Sequence, residues 1–251
     1  MTMEPAVGLT HTRAGIAGVR AVLADADLDL PVPGCPGWTL TDLGQHLGEL
    51  HRWVVGAVVE GHPDTVTPPG PRDRAELLAW YDEGAGALLD ILAAADPDAP
   101  CWAFGPKPTT VRFWLRRQAH EHAVHAVDAA AATGRPPVLD PALALDGVDE
   151  VVRMFFPRQV RLGRIPALTR SLAVRADGSG DGSGDGDGWL LAGDGTDAGT
   201  DAAGPAEATV SGPAEALYLL LWRRTGLDDP RLALSGDRAA AVAVLGTAIV
   251  P

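Results

Sequence analysis

Apolar positions recur at three- and four-residue steps through most of the first 155 residues. Residues 6–27 and 71–95 carry Ala, Leu and Val at helical spacing, which predicts a helix in each. Between them, "CPGWTLTDLGQHLGELHRW" (35–53) opens on a Pro-Gly turn. Thr39 then stands three positions before Asp42, a capping-box arrangement. Leu40, Leu43, Leu47, Leu50 and Val54 mark one buried stripe on the helix that follows. Residues 111–133 predict a further helix stopped by "TGRPP", and 141–157 predict another ending near Pro157. Long helices with short or Pro-rich connections imply an up-down bundle.

After about residue 165 the period changes. "LTRSLAVRA", "GWLLAG" and "EATVSG" have the length and composition of strands. "PAEALYLLLWRRTG" reads as an amphipathic helix ended by Gly226, "RLALSGD" as a strand and "RAAAVAVLG" as a short final helix. The expected class is therefore α+β: a helical domain over 1–157, a linker over 158–166 and a smaller α+β domain over 167–251. The run "DGSGDGSGDGDG" (177–188) resembles the first half of a calcium loop. The acidic ligand due at loop position 12 is Ala192 counted from Asp181, or Gly188 counted from Asp177. A hairpin loop is the better reading.

Composition narrows the function classes. The net charge is −13, and the arginines form no basic stripe, which disfavours nucleic acid. No run of 18 apolar residues predicts a membrane span, and the N-terminus lacks the pattern of a secretory leader, so a soluble cytoplasmic protein is expected. Two cysteines, Cys35 and Cys101, cannot make a disulfide framework or a Cys-rich zinc module, and Cys35 reads as structural. Lys107 is the only lysine and Asn is absent, the usage that GC-rich codons favour. That usage points to a high-GC organism, with an actinobacterium the natural candidate.

Chemistry concentrates in "RRQAHEHAVHAVDAA" (116–130). His120-Glu121 begins like the zinc-protease pattern H-E-x-x-H, but position 124 is Val. His120 and His125 point about 140° apart on a helix. Glu121 and His125 are four apart and share a face that Asp128 continues. His122 points into a small-residue stripe of Leu115, Ala119, Ala126 and Thr133, where another helix can approach closely. His122 is thus expected in the core and His120 in solvent. A catalytic metal site needs three protein ligands and an open position. The second helix offers His46 and His51 on opposite shoulders of its Leu stripe, and geometry alone does not choose between them.

Together, "CPGWTLTDLGQHLGELHRW" and "RRQAHEHAVHAVDAAAATG" resemble the two signature helices of the mycothiol-dependent maleylpyruvate isomerase family. The resemblance spans nearly the whole chain. It implies a DinB-like four-helix metal-binding domain followed by a small C-terminal α/β domain. It further implies zinc, or another divalent metal, held by His46, Glu121 and His125. His51 then becomes a residue behind the ligands or facing substrate, with Asp128 orienting His125. An Arg of the C-terminal domain is expected near the site, and Arg224 is the choice over Arg223. Mycothiol would be the thiol cosubstrate, adding to a small electrophile as isomerase or S-transferase. The competing classes are a non-catalytic metal- or ligand-binding protein on the same bundle, and a structural protein whose histidines only pack.

Overall fold

The computed structural model describes residues 3–61, 69–177, 188–196 and 206–251. Most of the Asp/Gly-rich run 177–188, with its rejected calcium reading, lies outside the described residues. The chain divides into two compact bodies, one ending at Val138 and one starting at Leu139.

The first body is a four-helix bundle: α1 (Pro5–Asp25), α2 (Leu40–Val59), α3 (Arg74–Ala94) and α4 (Val111–Ala132). The capping box at the start of α2 is present. The Thr39 amide donates to Asp42 Oδ2 at 2.8 Å, and the Asp42 amide donates to Thr39 Oγ1 at 3.3 Å. Asp73 caps α3 from one side only, its carboxylate accepting from the Ala75 and Glu76 amides. At the other end of α1, Arg74 donates to the carbonyls of Leu23, Ala24 and Ala26, satisfying acceptors the helix leaves open.

Contact registers fix the directions. Gly44 meets Leu77, Gly48 meets Trp80 and His51 meets Tyr81, so α2 and α3 run parallel, and the expected up-down order is corrected: the connection over 60–73 is long enough to return the chain to the same end. His46 meets His125 and Trp53 meets Trp114, so α2 and α4 run antiparallel. Helices α1 and α4 run parallel and very close. A Cβ on Gly8 would stand 2.7 Å from the Leu115 carbonyl oxygen, and one on Gly15 would stand 2.6 Å from His122 Cβ. The expected close approach along the His122 stripe is there, and the glycines that permit it lie on α1. The core behind the site is built from Leu23, Leu40, Leu43, Leu47, Leu77, Tyr81, Leu88 and Trp114, all fully buried. The buried stripe of α2 runs through His51, while Leu50 is only partly buried.

The second body opens with α5 (Pro141–Glu150), a π-helical turn (Val151–Phe155) and α6 (Phe156–Arg161). The helix was expected to end near Pro157. It continues because the wider turn just before the proline absorbs the missing N–H and the ring's bulk. Strands β1 (Leu168–Ala176), β2 (Gly188–Gly193), β3 (Ala208–Gly212) and β4 (Ala233–Gly236) form a sheet in the order β2-β1-β3-β4. The β1/β3 pair is parallel and the other two pairs are antiparallel. Helices α7 (Ala214–Leu221) and α8 (Arg238–Gly246) complete the body, with α7 packed on α5 and α8 on the sheet. The expected domain break at 157, with a linker over 158–166, is therefore corrected to the 138/139 junction. Helix α5 buries its apolar side against α7 and belongs with the sheet. Among the described residues no helix is long and apolar enough to cross a membrane.

Candidate metal centre

Three side chains from α2 and α4 converge. His46 Nε2 lies 3.2 Å from Glu121 Oε1, and His125 Nε2 lies 3.4 Å from the same oxygen. Four-coordinate zinc with N and O ligands near 2.0–2.1 Å places neighbouring donors about 3.3 Å apart. Both distances to the shared Glu121 oxygen therefore fit an ion bound by all three, whose ligand atoms lie within 4.8 Å of one another. The His46 side chain is 35% exposed, so the cluster opens to solvent on the α2 side.

The partners of each donor fix its orientation. Arg117, one turn before Glu121 on α4 and buried, donates to Glu121 Oε2 at 2.7 Å and leaves Oε1 to the cluster. His125 Nδ1 donates to Asp128 Oδ2 at 2.9 Å, so Nε2 is the nitrogen presented to the cluster. Cys35 donates its S–H to the same Asp128 oxygen at 3.4 Å. The Trp38 ring packs on His46 at 4.9 Å between centroids and stacks over His125 at 6.2 Å.

Electrostatics favour a cation. Burial pushes the Glu121 carboxyl up. The Arg117 charge and the bonds from His125 and His46 outweigh it and hold the group well below the usual carboxylate range. Burial lowers His125, but bonds to Asp128, Cys35 and Glu121 raise it well above the ordinary imidazole value. The fully buried Asp128 and the half-buried Glu121 thus recruit a positive charge onto the imidazole between them, a charge that a divalent ion would also supply.

The other sequence candidates fall elsewhere. His51 lies in the interior of the bundle. It is fully buried, stacked on His122 and set against Tyr81, with the two Nε2 atoms 2.9 Å apart. His122 Nδ1 donates to the Gln118 carbonyl, so neutral His122 accepts at Nε2 and His51 donates to it. His122 is the core histidine expected. His120, expected in solvent, is fully buried as well, because α4 is enclosed around most of its circumference. Arg224 lies in the second body just past α7, where its Nη1 donates to the Trp222 carbonyl at 2.6 Å. Arg223 adopts a left-handed conformation (φ 60°) at the end of α7, and its guanidinium donates to the Gly246 and Thr247 carbonyls. Arg117 escaped the sequence reading. Its position four before Glu121 was the available signal.

Comparisons with known proteins cover both bodies. The family model described as the mycothiol maleylpyruvate isomerase N-terminal domain matches residues 9–130. The one described as the MDMPI C-terminal domain matches residues 142–243. An uncharacterised protein of Mycobacterium tuberculosis, matched in strains CDC 1551 and H37Rv, is 28% identical over 150 residues, covering 57% of this chain and 75% of that protein. The crystal structures of the mycothiol-dependent maleylpyruvate isomerase and of a histidine-to-alanine mutant of it share the fold. Each has a TM-score of 0.58 over 94% of this chain and 95% of theirs, at 17% and 16% identity.

Proposed function

The chain belongs to the mycothiol-dependent maleylpyruvate isomerase family, and on that premise we propose that it is a metal-dependent enzyme that joins a low-molecular-weight thiol to a small electrophile, as an isomerase or an S-transferase. Mycothiol is the thiol the family implies. The reading is consistent with the GC-rich residue usage and the mycobacterial relative. One observation carries it: three donor atoms gather within 4.8 Å of one another, two of the separations at tetrahedral spacing, and Glu121 and His125 are each held from behind.

His46, Glu121 and His125 would hold the ion, zinc being the best match to two imidazoles and a carboxylate. Bound there, zinc would stabilise a thiolate near neutral pH and so supply the nucleophile. The chain's own residues do the rest. Arg117 keeps Glu121 ionised and single-pronged. Asp128 holds His125 in one tautomer and one ring orientation. Trp38 shields one side of both imidazoles from water. His51 and His122 set the distance between α2 and α4 from inside the bundle and do not touch substrate. In the isomerase case the thiol sulfur adds to the activated double bond, the resulting single bond rotates, and the thiol leaves to restore the double bond.

Metal analysis of purified wild type beside His46→Ala and Glu121→Ala tests the centre. The expected result is about one equivalent of zinc in wild type and loss in both variants with the fold retained. Thiol-dependent conversion of maleylpyruvate, or thiol consumption with other electrophiles, then tests the chemistry. A protein that takes up no zinc would overturn the proposal. So would one that binds zinc yet converts neither maleylpyruvate nor any other electrophile offered with mycothiol.

A further inference from the structure

His125 faces donors at both of its ring nitrogens. Nε2 looks toward Glu121 and His46. Nδ1 lies 2.9 Å from Asp128 Oδ2, and that oxygen lies 3.4 Å from Cys35 Sγ. The candidate ligand atoms of Cys35, His125 and Asp128 all fall within 4.8 Å of one another. Asp128 is fully buried, His125 nearly so and Cys35 half-buried, so this is no chance gathering of surface acids. Cys35 is held on both sides by its turn. Its amide donates to Val32 O at 3.0 Å and its carbonyl accepts from the Trp38 amide at 3.0 Å. A tetrahedral ion with a sulfur ligand near 2.3 Å and an oxygen near 2.0 Å sets them about 3.5 Å apart.

We infer that Cys35, His125 Nδ1 and Asp128 form a second metal cup, selective for a thiophilic cation, and that it competes with the first for the one imidazole. The donor sets differ in softness. Two imidazoles and a carboxylate suit a borderline ion, whereas a thiolate draws soft ions such as cadmium or cuprous copper. A ring that keeps one proton can give a lone pair from only one nitrogen. An ion entering the second cup displaces the thiol proton to solvent, and the ring's one proton moves from Nδ1 to Nε2 as the first ion leaves. It is then donated to Glu121. The first cup loses a ligand, so a soft cation shuts down the centre without touching His46.

The test uses the full chain with Cd2+ and Co2+ as probes and reads absorbance. Wild type and His46→Ala should both show a thiolate-to-cadmium charge-transfer band in the ultraviolet, absent in Cys35→Ser. Cd2+ added to Co2+-loaded wild type should expel the Co2+ and abolish its visible d–d band. No thiolate band in wild type overturns the inference. A band that persists in Cys35→Ser does so too, because Cys101 is then its source. Both ions bound at once would overturn the competition. If His46→Ala does not fold, wild type against Cys35→Ser decides. Failure of the first cup has its own sign, a missing Co2+ d–d band in wild type, and leaves the thiolate signal readable.

Discussion

Replacing Gly15 with alanine would put a methyl carbon 2.6 Å from His122 Cβ and 2.9 Å from the His122 carbonyl carbon and oxygen. Two of those atoms are backbone, so no rotamer change relieves the clash. To reach ordinary contact at 3.4 Å, α1 and α4 must separate by about 0.8 Å. The separation also loosens the Gly8–Leu115 contact one heptad away. Overpacking of this kind costs about 1–3 kcal/mol, beyond the roughly 1 kcal/mol that Gly→Ala gains in helix propensity. The expected net effect is a destabilisation of about 0–2 kcal/mol in the first body, and about 1–3 kcal/mol relative to a Gly→Ala change made in open space. Gly86 on α3 is the control, since a Cβ there meets nothing within 4 Å. Gly86→Ala should stabilise by about 0.5–1 kcal/mol. Urea unfolding followed by circular dichroism compares the two, with the two bodies free to unfold in separate steps. Because His122 adjoins Glu121, Gly15→Ala should also weaken zinc binding, read by chelator competition. A Gly15→Ala protein stabilised as much as Gly86→Ala would refute the close approach of these helices.

Three further outcomes are expected. Asp128→Asn should lower zinc affinity about 10- to 100-fold in chelator competition, because His125 loses the carboxylate that fixes its tautomer; unchanged affinity would remove Asp128 from the site. Burial keeps His122 neutral in the folded chain down to about 4, while the unfolded imidazole takes its proton near 6.5, so below 6.5 the unfolded state binds the extra proton. Stability should fall by about 3 kcal/mol as pH drops from 6.5 to 4, with His51 adding in the same direction, and urea midpoints that fall equally in His122→Gln would contradict this. Gln118 is buried with neither amide atom bonded, so Gln118→Met should raise the first body's stability by about 1–3 kcal/mol, and a loss on thermal melting would show the amide is satisfied.

What was legible in the sequence was local. Thr39 and Asp42 announce the start of α2 because a capping box needs only three residues of chain. Glu121 and His125 share a face because helix geometry places them there. The histidines show where such reasoning stops. Periodicity puts polar residues outside, yet His51 and His120 are inside, His51 paired with a histidine from another helix. Leu50 yields its place in the core stripe to His51 for the same reason. The break at 138/139 was equally hidden, because a helix carries no mark of which body it will pack on. Arg117 and Cys35 look ordinary in sequence and acquire roles only when α4 and the turn before α2 meet.

The indole of Trp38 rests on both imidazoles of the cluster. An emitter packed beside two of the donor rings makes the protein an optical indicator of its own occupancy. Protonation of an imidazole, a paramagnetic ion or a thiolate nearby would each dim or shift the light it gives. The difference in emission between wild type and Trp38→Phe would isolate that signal from the other six tryptophans of the seven in the chain. Ion exchange at the centre could then be followed in real time, without a dye and without knowing the substrate.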